Sequence, residues 1–133
     1  MKNRFFALRC FGFSMVELLA TVAVIGIISF LAVPQVTRMR TDAEETLAIS
    51  RAEALNLAMA NLIQTRGRAR AISEWTDAGS NDGRYLLLRP YIAFAEGSLA
   101  SYLPGGYAIS FPTSIEPLTK VVLLDPNASR IYY

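Results

Sequence analysis

The 133-residue sequence contains no histidine, one cysteine (Cys10) and one tryptophan (Trp75). Without histidine, imidazole general-base catalysis and His-ligated metal sites are excluded. One cysteine cannot close a disulfide within the chain, nor alone furnish a thiolate metal centre. Charge is scarce too: 13 Lys+Arg face 11 Asp+Glu, together 18% of the residues, for a formal net charge of +2. So near a balance excludes a surface built to coat nucleic acid. Hydrophobic residues make up 53%, too many for a disordered or collagen-like chain. The length suits one domain with one sizeable core. This composition points away from an enzyme and implies no cofactor.

The apolar residues are concentrated near the start. Residues 13–33 run for 21 positions with one charge, Glu17, and residues 18–33 carry none. As a helix, 21 residues span about 31 Å, the thickness of a bilayer's hydrocarbon core. Lys2, Arg4 and Arg9 precede the run without an acid; Arg38 and Arg40 follow it, then Asp42, Glu44 and Glu45. Three bases against two place the start of the chain on the cytoplasmic side and the remainder across the membrane. A cleaved secretory signal would have a shorter apolar core and a small-x-small site, which Ala20, Ala23 and Ala32 imitate; Glu17 fits it poorly. A plain anchor explains the length but not Glu17, since a carboxylate in hydrocarbon costs about 2.5–3.5 kcal/mol. A buried core helix is the third reading, and a chain of this length could hardly wrap one.

The residues around Glu17 carry a pattern. Gly12-Phe13-Ser14-Met15-Val16-Glu17-Leu18-Leu19 resembles the processing and methylation motif of type IV prepilins and type II secretion pseudopilins. That motif is a short basic leader ending in Gly, then Phe, then an apolar helix with Glu fifth in the mature chain. Gly26 and Pro34 stand where type IV pilins commonly carry the helix-breaking residues around a stretch that extends on assembly. The resemblance covers roughly the first third of the chain. It implies cleavage after Gly12 by a prepilin peptidase, N-methylation of Phe13, and assembly through Glu17.

Physical reasons accompany each part. A basic leader resists entering lipid and presents the Gly12–Phe13 bond at the inner membrane face, where glycine gives a protease close access to the backbone. Loss of Lys2, Arg4 and Arg9 takes 13 bases to 10 against 11 acids, a net of −1 before the new amine is counted. Glu17 could then pair with the Phe13 amine of a neighbouring subunit, offsetting the burial of both charges and selecting axial register. The chain is then the peptidase's substrate. The mature chain would have 121 residues and no cysteine; many major pilins close their C-terminal region with a disulfide, which this sequence cannot do. Its shortness suits a minor pilin or pseudopilin.

Beyond Pro34 the sequence stays rich in helix-favouring Ala, Leu, Glu and Arg. Leu47, Ser50, Ala54, Leu55, Ala58 and Leu62 recur at three- and four-residue steps, with Asp42, Glu45, Arg51 and Glu53 mostly off that stripe. One helix is expected from 13 to about 65, gently kinked at Pro34 and stopped at Gly67. The remainder holds five of the six prolines and five of the eight glycines. Residues 85–94 read as a short helix or a strand broken at Pro90, and 98–103 as a helical turn. Residues 107–111 and 120–124 read as strands, and 130–133 closes a hairpin through Asp125-Pro126-Asn127. The fold class is α+β: a long N-terminal helix, membrane-spanning then amphipathic, packed on a small C-terminal antiparallel sheet in the pilin-like manner. Its divisions are a leader (1–12), a transmembrane or filament-core helix (13–34), the amphipathic half (35–70) and a small β-sheet domain with an irregular loop (71–133).

Two clusters are further candidates. Arg66, Arg68 and Arg70 read as a solvated helix terminus complementing the dipole, or as a nucleic-acid contact. Asp77, Asn81, Asp82 and Asp125 are oxygen ligands of the kind calcium uses, but match no loop signature and read as turn formers; no metal site is assigned. Trp75 and Tyr133 read as packing residues. The expected function is a structural subunit of a type IV pilus-like or type II secretion filament, processed by prepilin peptidase at the bacterial inner membrane. Its partners are other pilin or pseudopilin subunits. The alternative is a membrane-tethered extracytoplasmic binding module, DNA-binding through the arginines.

Overall fold

The structure, a computed structural model, describes residues 12–133. Apart from Gly12, the expected leader lies outside the described residues. Helix α1 (Met15–Arg66) runs 52 residues with Pro34 inside it. After it come α2 (Arg68–Ala78), α3 (Asn81–Leu88), a 3₁₀ turn (Arg89–Tyr91), a one-turn α4 (Leu99–Tyr102), and strands β1 (Ala108–Ser110), β2 (Val122–Leu124) and β3 (Arg130–Ile131). The layout is α+β, as expected. Two compact units divide at Arg40 and Thr41.

In the first unit α1 is solvent-exposed throughout, and every residue from 12 to 43 is exposed. The stretch is not the core helix of a soluble fold. Among the described residues α1 is the one helix long and apolar enough to cross a membrane.

In the second unit α1 becomes a packing surface. Ala48, Ala52, Leu55, Ala58, Met59 and Leu62 are buried, alternating mainly four and three residues apart as a helix stripe requires. The expected stripe agrees at Leu55, Ala58 and Leu62 and is out of phase before them. Leu47 and Ser50 are exposed, while Ala48 and Ala52 face the core. Small alanines on this side let the rest of the domain lie close. Arg51 reaches across to donate to the Tyr102 carbonyl, its guanidinium 5.1 Å from that residue's ring centroid.

Gly67 separates α1 from α2 with φ 79°, a backbone that L residues rarely adopt. Its N–H still donates to Ile63 O (3.0 Å) and its carbonyl accepts from Ala71 N–H (3.0 Å). The stop at Gly67 is therefore followed at once by a second helix. Residues 71–103 are largely helical, and the boundary placed at 70/71 falls within α2. Buried Ala71 and Trp75, one turn apart, seat α2 on the core. The Trp75 ring meets Phe111 edge-on at 5.7 Å, and its Nε1–H donates to Pro112 O at 3.0 Å.

Ser80 caps α3, its Oγ accepting from Gly83 N–H at 3.1 Å. Residues 85–94 resolve into the end of this helix, the 3₁₀ turn over Pro90 and a loop.

The strands form one antiparallel sheet in the order β1-β2-β3. Ile109 pairs with Leu123, and Leu123 with Ile131. Ile109 and Leu123 are the buried centres of their strands, the alternation that makes one sheet face a core face. Two residues of α1 hold the sheet: Asn56 Oδ1 accepts from Val121 N–H (2.9 Å), and Glu53 Oε1 accepts from Lys120 Nζ (2.7 Å). They lie three apart, on one side of the helix.

Candidate functional site

Phe13 and Gly12 precede the helix, both exposed, and among the described residues a Cβ added at Gly12 would touch nothing within 4 Å. Ser14 O accepts from Leu18 N–H at 3.1 Å, closing the first turn. Glu17 lies in that turn, beside backbone N–H groups that lack a helical partner and carry the positive end of the dipole. A carboxylate there is favoured locally, and a cationic amine at residue 13 would stand close to the same turn. The structure thus brings Gly12, Phe13 and Glu17 together at one helix end.

The helix below them is apolar all round. Leu18, Leu19, Val22, Val24, Ile25, Ile27 and Ile28 are all exposed, and at 100° per residue they cover every side. A helix without a polar face must be surrounded, by lipid or by other helices. Two of its hydroxyls bond back to the helix: Thr21 Oγ1 donates to Glu17 O (2.8 Å) and Thr37 Oγ1 to Val33 O (3.1 Å). Such bonds remove polar hydrogens that hydrocarbon would penalise.

Gly26 and Pro34 lie in this stretch, two turns apart. A Cβ at Gly26 would meet nothing within 4 Å, so no contact among the described residues requires glycine, although glycine weakens a helix by about 0.5–1 kcal/mol relative to alanine. Pro34 has no N–H for the Phe30 carbonyl, a loss worth about 3 kcal/mol in a helix interior. Both residues weaken α1 between its ends.

The arginines lie elsewhere, in the second unit, on two elements. Arg66 ends α1, where its charge suits the dipole; Arg68 and Arg70 open α2, where the dipole opposes them. The single helix terminus expected for all three is therefore corrected, and carboxylates balance the misplaced charge. Arg68 Nε lies 2.6 Å from Glu116 Oε2 and Arg70 Nε 2.8 Å from Glu74 Oε1, while Arg66 is 3.9 Å from Glu74 Oε2. Phosphate would have to compete with these acids.

The oxygen ligands are also spread out. Asn81 donates to Ile109 O (3.3 Å) and accepts from Phe111 N–H (3.1 Å), pinning β1 to α3. Asp125 Oδ1 accepts from Asn127 and Ser129 N–H, at 2.9 and 2.7 Å, and forms the hairpin turn. Among the described residues no group of three His, Cys, Asp or Glu side chains is placed to hold a metal ion. Trp75 is buried in the core, and Tyr133, half-buried, donates through its hydroxyl to Val121 O at 2.8 Å.

Sequence reasoning did not single out Arg84, which is 9% exposed. It lies 5.4 Å over the Trp75 ring and donates to Thr113 O at 3.3 Å. An arginine between apolar residues carries no periodic signal that would reveal it. Comparison with known protein families, curated proteins and solved structures returns no match.

Proposed function

We propose that this chain is a structural subunit, of the minor pilin or pseudopilin kind, in a type IV pilus-like or type II secretion filament. One observation carries the reading: α1 begins two residues after Phe13 with Glu17 in its first turn, and its first part is exposed throughout and apolar on every side. An anchor alone needs the apolar helix but not the carboxylate. A filament needs both, because an amine and a carboxylate at the helix start can pair between neighbours within an apolar core. Contacts of this sort join unlike surfaces of successive subunits and propagate instead of closing.

On this reading the precursor waits in the bacterial inner membrane with residues 41–133 outside the cytoplasm. Prepilin peptidase removes residues 1–12 and methylates Phe13, and the 13–34 helix then moves from lipid into the filament core. The weak points at Gly26 and Pro34 let that helix adjust during the transfer. The chain is a substrate of the peptidase and not itself a catalyst.

The test is the intact mass and N-terminal sequence of the full chain produced with and without a prepilin peptidase. Peptidase-dependent loss of residues 1–12, with a methyl group on Phe13, is the expected result. Glu17→Ala should leave cleavage intact and abolish incorporation. A chain left uncut would reduce the helix to an anchor.

A further inference from the structure

We propose that Asn127 is an N-glycosylation acceptor, its side-chain amide taking a glycan from a lipid-linked donor. Asn127-Ala128-Ser129 reads Asn-x-Ser with alanine at x, the acceptor pattern, in which only proline is barred from the middle place. The other asparagines, at 3, 56, 61 and 81, all lack Ser or Thr two residues on. Three letters alone are a weak signal, and the surroundings of these three decide.

The structure presents the acceptor. Residues 126–130 are exposed, at the turn that joins β2 to β3. Backbone groups and one carboxylate hold that turn. Asp125 Oδ1 accepts from the N–H groups of Asn127 and Ser129, at 2.9 and 2.7 Å. Ala128 N–H donates to Asp125 O, and Asp125 N–H to Ser129 O, both at 2.9 Å. None of these bonds uses the Asn127 amide or the Ser129 hydroxyl, and neither group has a hydrogen bond among the described residues. Asn56 and Asn81, by contrast, tie the sheet to α1 and α3 through their side chains. Ala128 has φ 62°, so the chain bends sharply between the two residues the pattern requires. The turn is therefore complete without the group to be modified.

A cleft of about 350 Å³ opens beside the acceptor, lined by Asn127 together with Tyr107, Glu44, Glu45 and Asp125. A ring and several acceptor oxygens suit a neutral sugar, whose hydroxyls donate and whose C–H faces pack on an aromatic side chain. A glycan beginning at Asn127 has this surface next to its first residue.

The donor class is a polyprenyl diphosphate-linked glycan, used by a transferase in the membrane. Asn127 Nδ2 attacks the anomeric carbon, and a C–N bond forms as the C–O bond to the diphosphate breaks. The diphosphate leaves with that electron pair, and one amide proton passes to a base on the transferase. The inference rests on the proposed function for its topology alone, residues 41–133 lying outside the cytoplasm.

Full-length chain purified from the membranes of its native host tests this, by intact mass and by the tryptic peptide 121–130, bounded by Lys120 and Arg130. We expect that peptide to carry one or more sugar residues. Asn127→Gln and Ser129→Ala should each abolish the added mass, and Ser129→Thr should retain it. The thermal midpoints of all three should stay level, since no side-chain bond within the domain is lost. Removal of residues 1–12 with peptide 121–130 unmodified overturns this proposal and leaves the filament reading standing. A glycosylated chain that keeps residues 1–12 does the reverse. A chain neither cut nor modified sinks both, and an added mass that survives Asn127→Gln overturns the assignment to this residue.

Discussion

Single positions in this domain can reverse an ordinary rule, and Gly83 does. Alanine for glycine inside a helix usually stabilises by about 0.5–1 kcal/mol. In α3 a Cβ at residue 83 would come within 2.2 Å of the Ala78 carbonyl oxygen, a backbone atom that cannot swing aside. Gly83→Ala should therefore destabilise, by about 1–3 kcal/mol as overpacking does, in urea unfolding followed by Trp75 fluorescence. Gly97→Ala has open space and no positive φ, so it should be neutral or slightly stabilising. Tyr85 makes a second prediction. Burial raises its phenol pKa above the ordinary value, since desolvation disfavours the phenolate. The folded pKa exceeds the unfolded value of about 10, so its contribution is complete below about pH 10 and is lost as pH rises through the folded pKa. Tyr85→Phe removes the bond to Glu96 O and should cost about 1 kcal/mol at neutral pH. It should also flatten the alkaline loss of stability, measured as unfolding midpoints at pH 7 and about pH 11. An unchanged alkaline slope would show that Tyr85 is not the group responsible.

Among the elements, α1 carries two tasks, and its sequence changes character between them. Its first part was legible from length and the absence of charge, because a helix apolar on every side needs no phase to be recognised. Its second part was legible as amphipathic but not in phase. Ala43, Ala48, Ala52, Ala54, Ala58 and Ala60 offer overlapping stripes, and only the partner elements decide which is buried. The α2 helix was hidden by Arg66, Gly67, Arg68 and Arg70, which read as a terminus, whereas the positive φ at Gly67 turns the chain and lets a helix resume. The strands were legible from alternation at Ile109 and Leu123, since a core on one face imposes a period of two. Gly12, Phe13 and Glu17 were singled out because the motif behind the proposed processing is written in adjacent residues. For α1 itself, Pro34 implies a testable weakness. Amides at 31–38 in detergent should exchange faster than those at 18–25, and Pro34→Ala should slow them by up to about a hundredfold. Gly26→Ala should give a smaller slowing around its own site. Equal exchange along the whole segment would remove the argument that these two residues loosen the helix.

For the molecule as a whole, the distribution of the core decides what can be separated from what. Its buried apolar residues run from Ala48 to Leu123 and include Trp75, Tyr85, Ile115 and Leu123, and none lies in the first unit. The ties that fasten the sheet to α1 start from Glu53 and Asn56, also beyond the division at Thr41. Residues 12–40 therefore add apolar surface without adding to this core, and water exacts a penalty for that surface. A fragment spanning 41–133 should be soluble and unfold in one cooperative step. Its thermal midpoint should lie within a few degrees of that of the same domain in the detergent-held full chain, a shift of less than about 1 kcal/mol. Differential scanning calorimetry of the two forms measures this directly. A fragment that fails to fold, or melts far lower, would mean that the core draws on the apolar half of α1 after all. In that event the helix could not leave lipid for a filament without disturbing the domain attached to it.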